Sequence, residues 1–179
     1  MEVKEKFYLL LHPRPAYVIG SGRFGEVVNF MAASWVTPVA EEPPRVAVAI
    51  DVESYTHELI SKYKEFTVNV LPMAQLNALY SVGIVSGRRV DKVARFGLNV
   101  EKGRSVNAPV LTDSIGVLEC RVTATVESED TTLFVGDVLT AYAKEEYFDL
   151  RNGWNVKKGG YSFTQLGAGI LRAGPPSTS

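Results

Sequence analysis

A chain of 179 residues that is 46% hydrophobic and 22% charged is suited to one soluble globular domain with a substantial core. A net charge of −1 offers no basic excess, which argues against nucleic acid or an acidic membrane as partner. One cysteine, Cys120, excludes an intrachain disulfide, and with two histidines it makes an all-nitrogen-and-sulfur zinc site within one chain implausible.

The N-terminus is charged through Lys6, and the apolar run Phe7 to Leu11 stops at His12-Pro13, too short for a secretory signal. No apolar stretch reaches the roughly 18 residues of a membrane span, so the expected location is the cytoplasm. Ala16 to Gly20 reads as a strand, followed by the turn Gly20-Ser21-Gly22-Arg23-Phe24-Gly25. That turn fits a bare G-x-G-x-x-G spacing. The phosphate-binding mechanism of such a motif needs a helix to follow, and here a second strand follows, so the segment reads as a hairpin. Asn29 to Pro38 predicts one extended strand, with Asn29, Met31, Ala33 and Trp35 on one face and Phe30, Ala32 and Ser34 on the other. Small residues beside Trp35 let a flat ring approach the backbone, and Asn29 and Ser34 supply hydrogen-bonding groups.

Arg45 to Ile50 is a continuous apolar run, expected to be a strand buried on both faces. Leu59, Ile60 and Tyr63 fall at helical spacing, and Ser54 or Thr56 is a natural N-cap for that helix. Phe66 to Leu71 alternates as a strand, and a second short helix is expected from Met73 to Val82. From Ser114 to Glu127 the period is two. Leu118, Cys120, Val122, Ala124 and Val126 share an apolar face, and Glu119, Arg121, Thr123, Thr125 and Glu127 share a polar one. Glu129-Asp130 fits a turn and Thr131 to Ala143 the return strand. The fold class expected is mostly β with short helices. One domain covers residues 1–172, and 173–179 has the composition of a disordered tail.

Several of these residues have plain structural readings. Trp35 in an apolar strand is ordinary core, Thr56 an ordinary cap, and Lys92 beside Asp91 a solvated pair. Asn69 reads as a structural hydrogen bonder and Cys120 as inert packing. His57, in the first helical turn, is either a surface histidine or a secondary phosphate contact.

Taken in order, the motifs resemble those of the flavin reductase-like family. They are Pro13-Arg14-Pro15, Asn29 to Pro38, Ser54-Tyr55-Thr56-His57, Phe66 to Leu71, Ser86-Gly87 with Asp91-Lys92, Leu118-Glu119-Cys120, Leu133 to Val138, and Gly159-Gly160-Tyr161. The resemblance spans roughly residues 13 to 163 and implies a split β-barrel that binds flavin mononucleotide (FMN) at the interface of a homodimer. It assigns flavin contacts to Asn29, Ala33, Ser34, Trp35, Ser54, Thr56, Ser86 and Lys92. Thr56 at a helix start suits phosphate. Lys92 would bring positive charge to the phosphate or to the pyrimidine edge, and Trp35 would wall the ring or turn its N–H to the phosphate. No side chain is identified as a catalytic acid or base, and no metal site is expected.

The implied activity is transfer of electrons from NAD(P)H, a transient co-substrate, through FMN to free flavin or ferric complexes. The alternative is a flavoredoxin-like electron carrier reduced by a protein partner. Two departures from the family stand out. Asp51, Glu53 and Glu58 surround the expected phosphate position, and Thr131 occupies the place where many reductases of the family have a histidine.

Overall fold

The computed structural model describes residues 3–164 and 170–173. A 3-10 helix, Lys4–Leu11, precedes strands β1 (Arg14–Pro15), β2 (Tyr17–Arg23), β3 (Val27–Ala33), β4 (Val36–Ala40) and β5 (Arg45–Asp51). Helix α1 (Tyr55–Tyr63) leads into β6 (Glu65–Val70), a 3-10 turn at Met73–Gln75, then α2 (Leu76–Ile84) and α3 (Lys92–Phe96). Strands β7 (Val100–Lys102) and β8 (Pro109–Leu111) form a small pair. The long hairpin of β9 (Gly116–Ser128) and β10 (Thr131–Ala143) follows. Strands β11 (Phe148–Asp149) and β12 (Gly153–Trp154), helix α4 (Val156–Gly159), β13 (Tyr161–Thr164) and β14 (Ile170–Ala173) complete it. Ala173, expected in the tail, ends a strand, and 174–179 lie outside the described residues.

Seven strands make one antiparallel sheet in the order β3-β2-β6-β9-β10-β5-β4. Its two edge strands, β3 and β4, are joined by Ser34 and Trp35 alone. Three Cα steps span at most about 11 Å, so the sheet must curl until its opposite edges adjoin. The strand expected over Asn29–Pro38 is therefore two strands. The predicted alternation holds up to Ala33, then breaks at the connector, where Ala49 N donates to Trp35 O at 3.0 Å.

The curl encloses one core of Ile19, Val46, Val48, Ile50, Ile60, Phe66, Val68, Cys120 and Phe134. Met31 and Ala33 of β3 and Val36 of β4 pack on this same cluster, which closes the barrel with side chains. A second core lies outside the barrel wall, where Val18 and Phe30 meet Leu79 and Val82 of α2. Fully burying one such aliphatic or aromatic side chain contributes about 1.5–3 kcal/mol, so the two clusters dominate the stability of the fold.

The β9–β10 hairpin starts as its pattern predicts but departs from it twice. Glu119, on the expected polar face, is completely buried, because the 103–108 loop folds over it and donates Arg104 N (2.9 Å) and Ser105 N (2.5 Å) to its carboxylate. Ala124 and Val126, on the expected apolar face, are exposed, Val126 by 56%. Asn69 and Cys120 hold to expectation. Asn69 Nδ2 donates to Val18 O and Thr67 Oγ1 while its Oδ1 accepts from Leu111 N. Burial pushes the Cys120 thiol up to about 12, so it stays a thiol.

Candidate functional site

Five of the expected contact residues come together around the start of α1. Ser54 is extended (φ −75°, ψ 147°) and its Oγ accepts from His57 N at 3.1 Å, so Ser54 rather than Thr56 is the N-cap. Thr56 is the second residue of the helix, within its first turn, and is buried. Its Oγ1 accepts from Asn29 Nδ2 at 2.9 Å, which ties the helix to β3 across the barrel wall. Asn29, Ser54, Thr56, Ser86 and Lys92 line one cavity of ≈ 280 Å³.

Two details of this cavity suit a ligand. Asn29 is 2% exposed, and its Oδ1 has no hydrogen-bond partner among the described residues. A buried acceptor left unpaired costs about 1–3 kcal/mol, which a ligand hydroxyl or N–H would relieve. Beside it, a Cβ on Gly87 would lie 2.1 Å from that oxygen and 2.9 Å from the Tyr55 ring. Any other residue at 87 would fill the space that the glycine leaves.

Lys92 is not the solvated partner of Asp91. It is 4% exposed, and its ammonium donates at 2.7 Å to both Phe30 O and Val82 O. Two of its three N–H groups thus pin the end of α2 to β3, and burial lowers its pKa to about 8. Asp91 instead caps α3, accepting from Ala94 N.

Two of the three carboxylates near this cavity, those of Asp51 and Glu58, have partners within the chain. Asp51 Oδ1 accepts from Glu53 N at 2.7 Å. Glu58 pairs with Arg88 at 3.0 Å, and Arg88 Nη1 also donates to Glu53 O at 2.6 Å. Arg88 also stacks over the Tyr55 ring, 5.6 Å from its centroid. Of the three expected acid residues this arginine neutralises Glu58, 30 positions away in the chain. No local pattern in the sequence could have singled it out from Arg45, Arg89 or Lys92.

The remaining expected residues lie elsewhere. Ser34 and Trp35 line a separate groove of ≈ 350 Å³ with Arg14, Val36 and Leu133. Trp35 is 38% exposed rather than core, with Tyr8 at 5.8 Å and Arg14 over its ring. Ala33 packs on the barrel core. His57 is neither a surface residue nor aimed at the cavity, since its Nε2 meets Thr132 Oγ1 at 2.9 Å and its ring packs on Phe134. Trp154 packs against Phe148 and over Gly116, lining a largely apolar cavity of ≈ 750 Å³ that contains none of the predicted contacts.

The chain matches the family model for the flavin reductase like domain over residues 9–154, and it belongs to that family. An uncharacterized protein of Pyrococcus abyssi is 37% identical over 142 residues, which is 79% of this chain and 81% of that one. The flavoredoxin of Methanosarcina acetivorans superposes with a TM-score of 0.84 at 27% identity, covering 100% of this chain and 95% of the other. A split barrel domain structure from Shewanella frigidimarina matches at TM-score 0.84 with 14% identity, over 98% of this chain and 91% of that one. That likeness carries the fold, which is a mostly β split barrel with short helices.

Proposed function

We propose that this chain is an FMN-binding oxidoreductase that accepts electrons from NAD(P)H and passes them to free flavin or ferric complexes. The observation that carries the reading is the cavity at α1, where residues from four parts of the chain converge on an unpaired buried acceptor. The donor set suits FMN. Ser54, Thr56 and the unsatisfied N–H groups of the first helical turn suit its phosphate, and Asn29 Oδ1 suits a ribityl hydroxyl or ring N–H. Lys92 adds positive charge at the cavity wall while holding that wall in place. FMN would supply the hydride and single-electron chemistry.

A cavity of ≈ 280 Å³ is at the small end of ligand sites, so it suits the phosphate end of FMN and leaves the ring outside. The Trp35 groove is the apolar slot nearest in character to what a flat ring needs. A second copy of the chain would complete the ring site, making the protein a homodimer with FMN at its interface. The exposed Ala124 and Val126 on the hairpin are suited to such a contact.

Thr131 favours a second reading, an electron carrier reduced by another protein, because it offers no imidazole on the expected nicotinamide side. Anaerobic mixing of FMN-loaded protein with NADH or NADPH separates the two. Flavin bleaching within seconds supports the reductase. Absence of bleaching by either nucleotide, with ready reduction by a protein donor, supports the carrier.

A further inference from the structure

We propose that the N-terminal 3-10 helix of one protomer seats its apolar side chains in the Trp154 cavity of a second copy, and that the two copies exchange this contact reciprocally. It rests on the homodimer reading and names the segments that meet. From Phe7 to Leu11 the helix is apolar without a break, and a helix apolar on every side belongs in an interior. The protomer gives it none. No residue of Lys4–Leu11 is buried, and Phe7, Leu10 and Leu11 are all exposed, Leu10 by 72%. Tyr8 packs on Trp35 at 5.8 Å and Phe7 lies edge-on to Tyr8 at 6.0 Å. These ring contacts fix the helix on the barrel and leave Leu10 and Leu11 uncovered.

The cavity of ≈ 750 Å³ has the complementary character. Strands β11 and β12 form one wall, where Phe148 and Trp154 are cross-strand partners with rings 5.0 Å apart. Gly116, Ala141 and Ala143, where the β9–β10 hairpin opens, are too small to fill the space between. Leu150, in the turn joining β11 to β12, lines the cavity and is 99% exposed. An apolar tip beside an apolar cavity marks an interaction surface. The charges also match. The ionisable carboxylates that line the cavity are Glu145 and Asp149, and no lysine or arginine lines it. Asp149 keeps its negative charge while its Oδ1 accepts from Arg151 N and Asn152 N. The helix carries Lys4 and Lys6 against one acid, Glu5, so a net positive segment meets a net negative cavity. A two-fold axis makes this contact twice and covers both uncovered surfaces of each protomer in one operation, which a small ligand in the cavity would not do.

Size-exclusion chromatography with light scattering on the full chain, together with a short bismaleimide on cysteine variants, tests this. Leu10→Glu and Leu150→Glu change side chains that are exposed in the protomer. The circular dichroism spectrum should therefore match wild type while the dimer dissociation constant rises about tenfold or more. Glu5→Cys and Arg151→Cys mark the two sides and leave the apolar contact intact. When the two proteins are mixed, the reagent is expected to join position 5 of one chain to position 151 of another, as located by peptide mapping. Cys120 is buried and stays unreacted. A wild-type dimer that neither glutamate variant weakens, or that gives no link between these positions, overturns the proposal and leaves the homodimer reading standing. A link formed inside one chain of the doubly substituted protein places the helix on its own cavity and overturns it too. A monomeric wild type overturns both the proposal and the homodimer reading.

Discussion

Lys92 and Glu119 are the two buried charges on which most of the local architecture turns. The pKa of Lys92 falls from the ordinary 10.5 to about 8 in the folded chain. Between those values the unfolded chain holds a proton that the folded chain has released, so stability rises with pH from about 8 toward 10.5. Lys92→Met keeps the stem, strips two charge-assisted hydrogen bonds and removes the titrating group. Denaturant unfolding at a series of pH values should show a loss of about 1–3 kcal/mol near neutrality and no rise above pH 8. Burial raises the Tyr17 and Cys120 pKa values, which acts in the opposite direction at higher pH, so the difference between wild type and variant is the quantity to read. For Glu119→Gln, an amide N–H replaces one of two acceptors that face backbone N–H groups. A lower urea midpoint, equivalent to about 1–3 kcal/mol, is expected. The polar-face reading of Glu119 and the solvated-pair reading of Lys92 fail for one reason. Period-two alternation and a neighbouring opposite charge report only nearby residues, while Phe30 O, Val82 O and the 103–108 loop are supplied by distant segments.

At the scale of elements, the α1 start and the loop after α2 define the site. Gly87→Ala puts a methyl 2.1 Å from Asn29 Oδ1, so it should weaken FMN binding about tenfold or more while leaving the circular dichroism spectrum of the fold unchanged. Thr56→Val removes the acceptor for Asn29 Nδ2 and should also weaken FMN, with fluorescence quenching as the readout. Unchanged affinity in both variants would remove this cavity from the account. The helix, its cap region and the β9–β10 hairpin were legible because each is signalled by local period or capping chemistry. The break at Ser34-Trp35 was not, because an extended connector and an extended strand have the same local pattern. What distinguishes them is that β3 and β4 pair with different neighbours, β2 and β5.

At the scale of the whole molecule, closure of the seven-stranded sheet sets the Ser34-Trp35 groove apart from the α1 cavity and leaves the outer hairpin uncovered. Among the described residues no helix is long and apolar enough to cross a membrane. The homodimer proposal predicts that light scattering gives twice the 19.6 kDa chain mass, and that Val126→Glu shifts the protein toward monomer. A monomeric wild type that still binds FMN would separate flavin binding from assembly. The central claim is FMN binding itself, and the visible absorbance spectrum of the purified, FMN-reconstituted protein after desalting tests it most directly. The account predicts a yellow protein that retains the flavin bands at about one FMN per chain. A colourless protein that releases all added FMN would contradict it.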